Sequence, residues 1–241
     1  SEHKETGKII AGDRETSEDY NHYLVKLYLD DSDGYNKEKV EYVYYLLAKE
    51  AGIDMMPSKL IENKHFATLR YDRQHGEKQH VLTVTGLTGW DFKSQPENSS
   101  YENVFKVALG LEVPHKDLQQ LFKRMVFNVV FRNVDDHLKN HSFIYNKEEN
   151  KWNLGPAYDL TYALNPLFTF KTTSRALSIN GKRREISKAD LLTIAETFTI
   201  KNALGIIEEV EDSISFWREK TLVLGVKDLI VKKIEGKFVR L

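Results

Sequence analysis

The stretch from Asp117 to Phe131, DLQQLFKRMVFNVVF, constrains the fold more than any other part of the chain. Leu118, Leu121, Phe122, Met125, Val126, Val129 and Val130 recur at steps of three and four, which predicts a helix buried over a wide face. Dense polar chemistry follows at once. NVDDHLKNHSF, residues 133–143, holds two carboxylates, two histidines, a lysine and two asparagines. A core helix fixes the start of the loop after it, and a functional site needs such rigid support.

The elements before this helix read as mixed α and β. KIIAG (8–12), YLVKLY (23–28), SKLIEN, HFATLRY and QHVLTVTG predict five strands of one small antiparallel sheet, with a turn at DRQHGEK. EKVEYVYYLLAKEAG (38–52) predicts a helix against that sheet: Val40, Tyr44, Leu47 and Ala51 share a face and Gly52 suits its C-terminal cap. GLTGWDFKSQPENSSYENV (86–104) reads as a joint. Later come a hairpin of SFIY and KWNLG over NKEEN, a helix N-capped by Ser187, and at least one long helix in NALGIIEEVEDSISFWREKTLVLG. The expected fold is α+β and bilobal: a sheet-containing lobe over 1–95, then a larger helical lobe over 96–241.

Composition narrows the chemistry. The 241 residues suffice for a substantial core, and a net charge of -1 shows no basic excess of the kind that marks nucleic-acid binders. With no cysteine, thiolate metal sites and cysteine nucleophiles are excluded. No apolar run reaches the ~18 residues of a membrane span, and SEHKETGK is not a secretory signal, so a cytoplasmic protein is expected.

Asp135 and Asn140 lie five apart, and Asp159 follows after the hairpin in GPAYDLTY. Protein-kinase catalytic loops place a proton-accepting Asp and a metal-holding Asn at this separation, with a second metal-holding Asp later. Magnesium favours such oxygen donors beside phosphate. Such a plan also needs a strand lysine and a helix glutamate; Lys26 fits the first, and Glu38 and Glu41 compete for the second. Asp136 reads as a solvent-facing or loop-capping residue. His137 and His141, four apart, lack an evident third ligand for zinc. KRRE (182–185) reads as solvated surface, whereas Tyr42–Tyr45, Trp152 and Trp217 read as core.

RMVFNVVFRNVDDHLKNHSFIY, followed by LGPAYDLTYALNP, resembles the C-terminal kinase domain of the HipA family of serine/threonine kinase toxins. The resemblance rests on Asn133, Asp135, His137, Lys139, Asn140 and Ser142, then Pro156, Tyr158, Asp159 and Leu160. YLVKLY, EYVYYLLAKEAGI and ATLRYDR extend it through the small lobe, and SINGKRREISKADLLTIAETF extends it beyond the loop, so that it covers about residues 23–220. It implies a protein-kinase-like fold of the HipA and PI3-kinase type using ATP and Mg2+. Asp135 would be the base, with His137 and Lys139 orienting base and phosphate. Asn140 and Asp159 would bind magnesium, and Lys26 the phosphates. Leu69, Arg70 and Tyr71 would receive adenine, mainly through backbone groups, with Tyr158 beside the nucleotide. The acceptor would be a protein Ser or Thr, on an aminoacyl-tRNA synthetase in better-known members. A small DNA-binding, HipB-like antitoxin would be the partner, linking the chain to nucleic acid only indirectly, and no membrane is implied. No glycine-containing phosphate loop is recognised ahead of Lys26, where the chain offers Gly7, Gly12, Ser1 and Ser17. The longer members' extra N-terminal subdomain is likewise not found, which points to a short, HipT-like or split version. Two alternatives stand beside the kinase reading. One is a kinase-shaped nucleotide-binding module; the other is a metal-dependent phosphohydrolase built on Asp135, Asp136, His137 and Asp159.

Overall fold

In a computed structural model of the chain, residues 1–12, 17–29, 34–91, 94–168 and 173–241 are described. Positions 92 and 93 of the expected joint fall outside them.

The helix α1, Lys37–Glu50, begins at Asn36, whose side chain accepts the Lys39 N–H. It closes at Gly52, whose φ of +69° a side chain would strain. Val40, Val43, Tyr44 and Leu47 are fully buried on one face. The neighbouring sheet has three antiparallel strands: β1 (Tyr23–Lys26), β2 (Ser58–Ile61) and β3 (His65–Leu69), with β3 in the centre.

The five-strand expectation is corrected in two places. KIIAG forms no strand and makes a single bridge, Glu2 to Ile9. QHVLTVTG does supply a strand, β4 (His80–Thr83), but it pairs with β5 (Ser142–Asn146) across the boundary expected at residue 95. β5 in turn pairs with β6 (Lys151–Leu154) over the predicted turn, so this second sheet carries the site loop on one of its strands. Period-two alternation identifies a strand but leaves its partner open.

α2 (Val84–Thr88) and α3 (Tyr101–Gly110) precede the central helix α4 (His115–Val130), whose apolar face is buried as predicted. α5 (Lys188–Thr197) starts at Ser187 with a complete capping box to Asp190. The expected long helix is broken into α6 (Ala203–Asp212) and α7 (Trp217–Val223) by a 3-10 turn, and α8 (Asp228–Glu235) ends the fold.

One apolar core runs from α1 through α3 and α4 to α7 and α8. Tyr44 of α1 joins the two halves: its ring meets Phe127, Phe131 and Trp217 edge-on, and its hydroxyl donates to the Phe131 carbonyl at 2.6 Å.

Candidate active site

Lys26 ends β1 opposite Phe66, and its ammonium reaches across to α1. Nζ donates to both carboxylate oxygens of Glu41, at 2.8 and 2.9 Å, and also to the carboxylate of Asp159. The competition between Glu38 and Glu41 is thereby decided for Glu41. Burial pushes the Glu41 carboxyl up to about 7 against the pull of Lys26. For Lys26, burial works to lower the pKa, but the Glu41 and Asp159 carboxylates outweigh it and raise it. Asp159 holds φ at +57°, a left-handed backbone that costs energy in a residue with a Cβ and that clusters at functional sites.

Two adjoining cavities share Lys26, Glu41 and Asp159 in their walls. The larger, about 510 Å³, is apolar on the sides of Leu24, Met55, Phe66, Val81 and Ala157, and is edged by Leu69, Arg70, Tyr71, Asp72 and Tyr158. The smaller, about 370 Å³, is walled by Asn133, Asp135 and Thr161. A largely apolar cavity thus adjoins a charged one, with Lys26 in the wall they share and Asp135 in the wall of the second.

The loop after α4 is held from within. His137 N–H donates to the Asp135 carbonyl at 2.9 Å, and Asn140 Nδ2 donates to that carbonyl at 3.0 Å. The Asn140 amide is thereby oriented, with its nitrogen committed to that carbonyl. His137, Lys139 and Asn140 are not among the described wall residues of either cavity. Lys139 contributes its carbonyl, which accepts the Tyr158 hydroxyl at 2.6 Å. Tyr158 stacks on Tyr71 with ring centroids 6.1 Å apart, and the Tyr71 and Ser142 hydroxyls lie 2.7 Å apart. Gly155 sits in this cluster because a Cβ there would lie 2.8 Å from Ser142 Oγ.

Along the expected adenine edge, one expectation is revised. The N–H groups of Leu69 and Arg70 donate to the carbonyls of Pro57 and His22, at 2.9 and 2.8 Å. Those two donors cannot serve adenine while the strand is intact. The Arg70 side chain forks onto Asp72 at 2.8 and 2.6 Å.

Asp136 is the clearest departure from the sequence reading. It does not face solvent: it is 1% exposed and accepts from Arg175 at 2.6 Å and from the Tyr101 hydroxyl at 2.8 Å. Asn128 Nδ2 donates to that hydroxyl, Asn133 donates to Asn128 Oδ1, and Asn133 also reaches the Asp159 carbonyl at 3.4 Å. A buried polar network therefore joins the backbone of Asp159 to the loop of Asp135. Its local signal was the pair of asparagines flanking an apolar helix end; Arg175, 39 positions from Asp136, gave none. KRRE is mostly exposed, yet Arg183 turns inward and donates to the Pro96 and Ser99 carbonyls at 2.8 and 3.0 Å.

The HipA-like C-terminal domain profile matches residues 5–217. The chain belongs to the HipA-like C-terminal domain family. Among curated relatives, Y4dM of Sinorhizobium fredii is 23% identical over 193 residues, covering 74% of this chain and 46% of its own length. A Haemophilus influenzae protein is 26% identical over 155 residues, covering 58% of this chain and 45% of its own. Both carry names that mark them as candidate kinases, and the chain spans about half the length of each. Among solved structures, the Shewanella oneidensis HipA, determined with HipB and operator DNA, superimposes with a TM-score of 0.70 at 17% identity, covering 89% of this chain and 57% of that one. The Helicobacter pylori proinflammatory kinase CtkA gives 0.56 at 12% identity, covering 90% and 85%. The HipA-like, kinase-like α+β fold is therefore shared with both.

Proposed function

We propose that this HipA-like domain is an ATP- and magnesium-dependent protein kinase acting on serine or threonine. The observation that carries the reading is the Lys26 ammonium, held between Glu41 and Asp159 at the junction of an apolar slot and the chamber that Asp135 lines. Adenine occupies the slot, beside Tyr71 and Tyr158, and the triphosphate extends toward Lys26. Asp135 receives the proton of the acceptor hydroxyl as its oxygen bonds to the γ-phosphorus and the bond to ADP breaks. The donor set fits magnesium: a carboxylate on Asp159 and an amide oxygen on Asn140, both hard oxygen ligands. When bound, magnesium neutralises charge that develops on the phosphates. The residues of this chain supply position, which is most of what phosphoryl transfer asks of a protein.

The larger biological reading follows the family. The domain acts in the cytoplasm as the toxin of a toxin–antitoxin pair, restrained by a small DNA-binding protein, with an aminoacyl-tRNA synthetase as the kind of target. The Shewanella HipA found with HipB and operator DNA supports the partner class. The phosphohydrolase alternative loses a carboxylate, because Asp136 is sealed in an ion pair with Arg175. The test is transfer of label from γ-labelled ATP to protein. We expect Asp135→Ala to lower it by at least about 100-fold and Asp159→Ala to abolish both transfer and magnesium-dependent nucleotide binding. Nucleotide binding without transfer in the unaltered chain favours the binding-module alternative; free phosphate release with no labelled protein favours the hydrolase.

A further inference from the structure

A second constellation of charge lies behind the catalytic loop. Arg132, Arg175, Arg183 and Arg184 line a small recess of about 70 Å³, together with Glu185, Asn128 and apolar residues. That is room for roughly two water-sized groups, the scale of a single phosphoryl group. Arg183 spends its guanidinium on backbone carbonyls. Arg132 and Arg184 form no ion pair with a carboxylate among the described residues, and each instead donates to a neutral hydroxyl. Arg132 Nη2 donates to Thr173 Oγ1 at 3.2 Å, and Arg184 Nε donates to Ser174 Oγ at 2.9 Å. Arg175, 6% exposed, meets Asp136 through one nitrogen, while its buried Nε has no acceptor. Guanidinium groups with no carboxylate partner among the described residues, set beside hydroxyls, are the surroundings a phosphoryl anion needs. Glu185 opposes this, as the one carboxylate among the described residues that line the recess.

We propose that Ser174 is a phosphorylation site whose phosphoryl group is held by Arg132 and Arg184, with Arg175 Nε as a third donor. Ser174 is chosen over Thr173 because it is exposed to a modifying kinase and has the shorter arginine contact. ATP is the donor: the bond from its γ-phosphorus to ADP breaks, the bond to Ser174 Oγ forms, and the hydroxyl proton passes to the base of the modifying kinase. The consequence for the site follows from chain order. Ser174 adjoins Arg175, which clamps Asp136, next to Asp135. The Ala176 N–H also donates to the Val134 carbonyl at 2.8 Å. A phosphoryl group here therefore adds to the bracing of the loop of Asp135. Its effect on catalysis rests on the kinase reading above; its capture by the arginines does not.

The experiment uses the full chain carrying Asp135→Ala, so that its own activity plays no part, with phosphoserine inserted at position 174 during translation. We expect the melting temperature to rise by at least about 3 °C over the unmodified protein. In phosphorus NMR, the second pKa of the phosphoserine falls below the ordinary value of ~6. Both effects disappear in Arg132→Gln and Arg184→Gln, each referred to its own unmodified form. No rise in melting temperature, an ordinary phosphoserine pKa, or effects that survive both substitutions would overturn the proposal while leaving the kinase reading untouched.

Discussion

Lys26 and Glu41 illustrate how much one residue depends on another. The Glu41 side chain is 8% exposed and takes both its hydrogen bonds shown here from one ammonium. Lys26→Ala therefore strands a buried carboxylate, a change that costs about 3–5 kcal/mol. The sign with pH follows. Burial already raises this carboxyl, and without the lysine it rises further, so the folded chain holds a proton that the unfolded chain has released. Stability of the variant then falls as pH rises above about 4.5. Urea titration should find Lys26→Ala more damaging at pH 8 than at pH 5, and adding Glu41→Gln should remove most of that difference. His141 carries the opposite sign. Burial lowers it from 6.5 to about 4, so the unfolded chain binds the proton first and stability falls as pH drops through that window. His141→Phe preserves a ring against Tyr101 and should recover about 3 kcal/mol relative to wild type between pH 7 and pH 4.

Among the elements, α4 and α5 invite direct tests. Leu121 is fully buried on α4, and Leu121→Ala should cost about 2–5 kcal/mol in chemical denaturation. Ser187→Ala removes the capping hydroxyl of α5 and should cost about 1 kcal/mol. These elements were legible in the sequence because their signals are local: a heptad-like stripe, a cap three residues from its partner, a glycine after a last turn. The hairpin of β5 and β6 was legible for the same reason. β4 was visible as a strand but not as a neighbour of β5, since about sixty residues separate them and alternation carries no address. Asp135, Lys26 and Asp159 were found through their order along the chain, and the structure brings their side chains to one cleft. For Asp136 the solvent-facing alternative failed and burial was not legible, because its partners, Tyr101 and Arg175, are distant in sequence.

At the scale of the molecule, the two halves share one core. α1 belongs by sequence to the first half, yet Tyr44 is seated among Phe127, Phe131 and Trp217. Lys39 donates to the Leu224 carbonyl at 2.9 Å, and Lys220 pairs with Glu50 at 2.8 Å, so the helix is also fastened along its surface. Residues 1–95 made alone should therefore show no cooperative thermal transition, whereas the full chain should show one. The anchoring of α1 has a further effect on how the cleft can breathe. Glu41 sits on that anchored helix, which also packs against the sheet bearing Lys26. Parting that sheet from the helix would break the ion pairs of Lys26 with Glu41 and Asp159, so sheet, helix and the second half are knotted together at one ammonium.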